Sequence, residues 1–226
     1  MLKILGLLMS FVIAASAFAG SAGDITNSEA NSGLKQALVD GSAKAVSLLG
    51  VENGFLGNPK VKIPLPPALQ KIEAALRYTG MRKQADELVL AMNRAAEAAV
   101  PEAKALLTES VRKMSISDAK GILTGGNTAA TDYFRRTTQS QLTDRFLPIV
   151  KKATDRVGLA QQYNSLAGQA AQLGLIREQQ ASIERYVTQK ALDGLYLTIA
   201  EQEKAFRQNP LSATSEIVKK VFGAVH

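Results

Sequence analysis

The sequence has no cysteine and no tryptophan, and its single histidine is His226. Without cysteine there are no disulfides, no thiolate nucleophile and no cysteine metal site, so stability has to come from packing. A Ser-His-Asp triad or a histidine-rich zinc site would depend on one imidazole at a frayed terminus, which excludes both. Aromatic residues make up 5% of the chain and do not interleave with the basic residues, so stacking platforms for nucleic acid are missing and a nucleic-acid partner is not expected. There is no D-x-D-x-D-G loop, no glycine-rich phosphate cradle and no H-E-x-x-H pair, so no metal and no cofactor are expected. Carboxylates remain as the groups available for acid–base work.

The most specific signal present is at the start, in "MLKILGLLMSFVIAASAFAG". Lys3 supplies the positive end, and the apolar run from Ile4 to Ala15 is too short to cross a bilayer core of about 30 Å as a helix. Ala17-Phe18-Ala19 is a small-x-small cleavage site. Residues 1–19 are therefore expected to be a cleaved signal peptide, with cleavage after Ala19 and a periplasmic destination. Residues 20–28 are expected to be a flexible lead and 29–226 a single domain. No cysteine follows the apolar run to take a lipid. A chain of this length buries about 70% of the surface its unfolded form exposes, enough for one core. The formal net charge of +7 favours anionic partners.

Helical spacing recurs almost without interruption, predicting an all-α array of about eight or nine helices. Leu34, Leu38, Ala45, Leu48 and Leu49 mark a first helix over about 29–49, capped by Gly50. "PALQKIEAALRYTG" places proline first and glycine last, the favoured helix asymmetry. Leu88, Met92, Ala95 and Ala99 form the next face. Pro101 should end or kink that helix at Val100, with Ala105, Leu106 and Val111 beyond it. Ser117 is read as the cap of a short helix closed by Gly125 and Gly126. Two helices are expected over about 128–138 and 139–157, the second burying Leu142, Phe146, Ile149, Ala153 and Val157 and ending at Gly158. Another short helix follows. Val187, Ala191, Leu195 and Ile199, widened by Leu192 and Tyr196, then mark the longest helix, which Asn209-Pro210 stops. A last short helix carries Ile217, Val218, Val221 and Phe222. No fixed-period repeat emerges.

"NGFLGNPKVKIPLPPALQKI" holds four of the seven prolines. Pro64, Pro66 and Pro67 lack amide hydrogens and push the residues before them toward extended conformations. Val61, Ile63 and Leu65 alternate with Lys60, Lys62 and Pro64, so about 55–66 reads as an extended, packed connection with one face inward.

These phrases together carry a resemblance. "GFLGNPKVKIPLPPALQKIEAALR", "MNRAAEAAVPEAKALL", "DAKGILTGG" with "AATDYFRRTT", "FLPIVKKATDRVGLAQQYN" and "YVTQKALDGLYLTIAEQEKAFRQNP" recur in that order in the exported bacterial proteins grouped as domain of unknown function 4197, which this chain resembles over nearly its whole mature length. The resemblance implies a secreted, mostly helical protein of Gram-negative bacteria and carries no catalytic residue with it. Glu109-Ser110 in "LLTESVRKM" resembles the Glu-Ser of lytic transglycosylases, but Val-Arg-Lys follows where that family continues with glycine and glutamine.

Three constellations could bind a ligand. Arg94 and Glu97 lie three apart and Asn93 and Glu97 four apart, so each pair meets on one helix surface. Tyr133, Arg135 and Arg136 sit beside Asp132, and adjacent arginines diverge by about 100°, one toward solvent and one inward toward a carboxylate or a phosphate. Arg145, Lys152 and Arg156 form a basic stripe that could rest on an anionic polymer or on headgroups. The residues thus lead to a non-enzymatic periplasmic binding or interaction protein for an anionic envelope component or a protein partner. The alternatives are an acid–base enzyme acting on a cell-wall glycan and a helical lipid carrier.

Overall fold

A computed structural model describes residues 27–71, 80–172, 177 and 181–209. The expected leader, the body of the second helix at 72–79 and the last helix around Ile217 to Phe222 lie outside the described residues. Within them the elements run α1 (Asn27–Leu49), α2 (Pro67–Lys71), α3 (Arg82–Ala99), a 3-10 turn (Val100–Glu102), α4 (Ala103–Lys113), α5 (Ile116–Thr124), α6 (Ala129–Thr154), α7 (Gly158–Gln172) and α8 (Ile183–Gln208). There are thus seven longer helices and one of five residues, and no strand, among the described residues.

Apolar spacing explains most of these segments. Leu34, Leu38, Ala45 and Leu49 bury the inner face of α1, whereas Leu48 falls a third of a turn outside it and is 44% exposed. Leu88, Met92, Ala95 and Ala99 are fully buried on α3. Pro101 ends that helix as expected: the chain tightens into the 3-10 turn at Val100 and resumes as α4, where Leu106, Leu107 and Val111 point inward and Ala105 outward. The cap of α5 is Ser115, two residues before the expected Ser117. Ser115 Oγ accepts from Asp118 N while Asp118 returns to Ser115 N, and two reciprocal bonds outweigh the one that Ser117 could offer.

Where two helices were expected there is one, α6, because nothing between Thr138 and Gln139 breaks it. Its buried row is Ala130, Phe134, Thr138, Leu142, Phe146, Val150 and Thr154, a strict interval of four. Ile149 is partly buried and Ala153 exposed, since the row advances by fours and not by alternate threes and fours. The helix stops at Thr154, and Gly158, expected to terminate it, opens α7.

The longest segments, α6 and α8, share 26 residues each. α8 carries the same kind of row: Ile183, Val187, Ala191, Leu195, Ile199, Glu203 and Arg207, all buried. Rows of this type are the ridges of the packing class whose axes cross at about 50°. A strict interval of four drifts by about 40° per step around a helix, so successive parts of one row meet different neighbours. α6 and α8 accordingly pack most extensively on each other, with α3 against both, α1 against α4 and α8, and α5 on α6.

Between α1 and α2 the connection is a strap that turns over residues 52–57 and 59–61 and runs extended only over 62–66, shorter than the expected 55–66, because Asn58 O accepts from Val61 N and Lys62 N and closes a turn there. Val61, Ile63 and Leu65 are buried while Lys60, Lys62 and Pro64 are exposed, the expected alternation. Phe55, fully buried, anchors its start against Gly194 of α8, where an added Cβ would stand 2.8 Å from the Phe55 ring.

Candidate functional site

On α3, Asn93 and Glu97 face the strap and form its partners. Asn93 Oδ1 accepts from Ile63 N at 2.9 Å and Asn93 Nδ2 donates to Ile63 O at 2.9 Å, so one fully buried amide supplies both bonds that a neighbouring strand would make. Its second N–H donates to Val89 O. Glu97 Oε1 accepts from Phe55 N and Leu56 N, both at 3.0 Å, and Oε2 from Arg94 at 2.6 Å. Burial pushes the Glu97 carboxyl up, but the Leu56 amide, the Arg94 guanidinium and the Phe55 amide outweigh it and hold the group below its ordinary value. Arg94 also reaches Glu52 at 3.0 Å and Asn53 Oδ1 at 3.1 Å. That last bond braces Asn53 in the left-handed region at φ 66°. Tyr186 of α8 completes the clamp by donating to Pro64 O at 3.2 Å. Arg94 and Glu97 thus occupy structural positions, their polar atoms committed to the chain itself.

Tyr133, Arg135 and Arg136 separate as the helical angle requires. Arg135 turns toward α8, with its guanidinium 4.6 Å from the centre of the Tyr196 ring and 3.8 Å from Asp193. Arg136 turns the other way, over the Tyr133 ring at 5.6 Å and 3.6 Å from Asp118. On this second side α4, α5 and α6 enclose a polar pocket of about 250 Å³. Leu106 and Tyr133 form its apolar wall; Glu109, Lys113, Asp118 and Arg136 carry its charges; and Ser110, Thr137 and Gln141 bring neutral polar groups.

Both carboxyls here are held ionised. The hydrogen bond and charge of Lys113, 2.7 Å away, keep Glu109 below its ordinary range. The Ser115 hydroxyl and amide do the same for Asp118, with Arg136 adding to them. Ser110 Oγ and Thr137 Oγ1 lie 2.7 Å apart, and Tyr133 Oη donates to Ser110 O at 2.7 Å.

The third set does not converge. Arg145 lies 4.0 Å from Glu102, Lys152 is exposed on the last turn of α6, and Arg156 is exposed beyond the end of that helix. The eight candidate residues therefore do not form one site; Tyr133 and Arg136 line the pocket of about 250 Å³, and Arg136 with Arg135 also borders a more open hollow of about 680 Å³ on the other side of α6.

Two further carboxylate clusters gave no sequence signal. Glu203 on α8 accepts from Ala130 N, Thr131 N and Thr131 Oγ1, each at 3.0 Å, capping the N-terminus of α6 from another helix. Arg207 holds Glu203 at 2.9 Å and donates to Ile122 O at the end of α5. Glu184 accepts from Asn164 at 2.9 and 3.0 Å, and Asn164 Oδ1 accepts from Ile183 N, tying α7 to the start of α8. Their partners lie 19 to 85 residues away, beyond any spacing rule, although the interval of four in α8 passes through Glu203 and Arg207.

Among the described residues no group of three or more His, Cys, Asp or Glu could hold a metal ion, and no helix is long and apolar enough to cross a membrane. The family model described as "Protein of unknown function (DUF4197)" matches residues 24–223. The chain belongs to this family. No curated protein and no solved structure matches this DUF4197 chain.

Proposed function

We propose that this DUF4197 member is a non-enzymatic binding or interaction protein of the bacterial periplasm, delivered there by its N-terminal leader, and that it engages an anionic envelope component or partner at the pocket beside Arg136. The observation that carries the reading is the electrostatics of that pocket. Acid–base attack on a glycan needs one carboxyl kept protonated near neutrality. Glu109 and Asp118 are both held the other way. Arg136, in contrast, is 65% exposed and only loosely paired at 3.6 Å, leaving its planar fork available to a carboxylate or phosphate. Arg135, Lys152 and Arg156 add positive charge along the same helix and just beyond its end.

A lipid carrier needs an apolar chamber. Among the described residues, the apolar hollow lined by Leu34, Leu38, Phe134 and Ile199 holds about 20 Å³, room for a single water, and the open hollow of about 820 Å³ beside Leu65, Val89 and Leu90 is lined also by Lys62, Gln70 and Asp86 and is not an enclosed chamber.

A thermal-shift screen against lipopolysaccharide, peptidoglycan fragments, anionic vesicles and divalent cations tests the proposal. A ligand at 100 times its Kd adds about 2.7 kcal/mol, which raises the Tm of a chain this size by about 5–10 °C. No shift with any envelope component would overturn the binding reading. Glycan cleavage abolished in both E109Q and D118N would establish the enzyme in its place.

A further inference from the structure

The hydroxyl protons around the pocket can be assigned from their partners, and the assignment constrains the ligand. Thr137 Oγ1 donates to Tyr133 O at 2.8 Å, and a carbonyl only accepts. The 2.7 Å contact between Ser110 Oγ and Thr137 Oγ1 therefore runs from Ser110 to Thr137. Tyr133 directs its own proton to Ser110 O. Each of these three hydroxyls points its hydrogen into the protein, so Ser110, Tyr133 and Thr137 offer the pocket oxygen lone pairs and no O–H donor. Glu109 is matched by Lys113 and Asp118 by the Ser115 cap, which leaves no uncommitted carboxylate to receive an ammonium group. Arg136 at the mouth is the opposite case, a fork of N–H donors stacked on Tyr133 and held by Asp118 only at 3.6 Å.

Resting on the binding reading above, we infer that the pocket between α4, α5 and α6 takes a hydroxyl-rich anion, a sugar phosphate or sugar acid, whose anionic group meets Arg136 and whose hydroxyls donate to the Ser110 and Thr137 oxygens. The dimensions agree. About 250 Å³ lies just below the 300–1,000 Å³ of sites for drug-sized ligands, which suits a single ring. Leu106 supplies an apolar surface for the C–H face of such a ring. One chemistry has two sources here, a free sugar phosphate and the phosphorylated sugar of a lipid headgroup.

Calorimetric titration of the whole protein with glucose 6-phosphate, glucuronate, glucose, inorganic phosphate and aspartate tests this. Glucose 6-phosphate and glucuronate should bind at least tenfold more tightly than glucose, phosphate or aspartate. R136A should lose at least tenfold for both sugar anions, with R136K recovering part of the loss. T137V should weaken the sugar anions and leave the weak phosphate binding unchanged. Equal binding of phosphate or aspartate, or unchanged affinity in R136A, would overturn the assignment. Both substitutions are at exposed side chains, and an unchanged Tm checks that each variant is folded. Displacement of bound glucose 6-phosphate by vesicles carrying a phosphorylated glycolipid would assign the group to a headgroup, and persistence of the complex would assign it to a free sugar. Lipopolysaccharide binding that survives R136A would sink this assignment while sparing the wider binding proposal; failure of every ligand in both experiments would sink the two together.

Discussion

Asn93 does the work of a β-strand with one side chain. Its amide presents a donor and an acceptor in the same plane, so it pairs both backbone groups of Ile63, and no other uncharged side chain of similar size except glutamine has that pair. Leucine at 93 would leave the buried Ile63 N–H and C=O unmatched, and N93L should lose about 3 kcal/mol in urea denaturation. Glu97 contributes through charge. Its folded pKa lies below the unfolded value, so its stabilisation is complete above the unfolded pKa of about 4.3 and disappears as pH falls through the folded value. E97Q should cost about 2–3 kcal/mol at pH 7 and make the acid limb of the stability curve shallower. Tyr186 acts at the alkaline end. Burial, with Tyr163 nearby, pushes its phenol up to about 12. The unfolded chain therefore ionises first, and stability falls as pH rises from about 10 toward 12. Y186F should lose about 1 kcal/mol at neutrality, through the bond to Pro64, and should flatten part of that alkaline fall. Unchanged acid and alkaline limbs in the two variants would contradict these assignments.

For the elements, the strap and α6 show how local rules and packing compete. A methyl group at Gly194 would improve helix propensity by about 1 kcal/mol yet place a carbon 2.8 Å from the Phe55 ring in a filled core. The clash should win, with G194A losing about 1–2 kcal/mol and F55L partly relieving it in the double mutant. Pro148 stands inside α6 on its exposed side, where the helix tolerates it at a cost. P148A should therefore gain about 2 kcal/mol, the helix penalty less the unfolded-state entropy that proline removes. A lower Tm for P148A would mean that the proline fits a kink the neighbouring helices require. The boundary drawn at 138/139 had no breaker to support it.

Across the whole molecule, what was legible followed sequence distance. Helix type, the stop at Pro101 and the alternation of Val61, Ile63 and Leu65 depend on residues within a turn or two, and composition reveals them. Asn93 and Glu97 could be seen to meet each other, but their partners 30 to 42 positions away could not be seen. The pocket was half legible: Tyr133 and Arg136 stood out as a polar pair, and Glu109 and Ser110 stood out in a separate phrase. Only the packing of α4 against α6 puts them on one surface. Glu203, Glu184 and Arg207 find their partners on other helices, which no local pattern in the sequence marks.

The cap on α6 has a consequence for the order of assembly. Glu203 closes the first turn of a helix made more than 70 residues earlier, and α8 is also the seat of α1. A chain emerging from its N-terminus can build α1 through α7 as local helices, but their buried faces and the open start of α6 have no complete match until α8 arrives. The tertiary structure therefore closes late and from the far end. Until α8 is made, the first turn of α6 lacks its Glu203 cap and α1 lacks one of its two main neighbours.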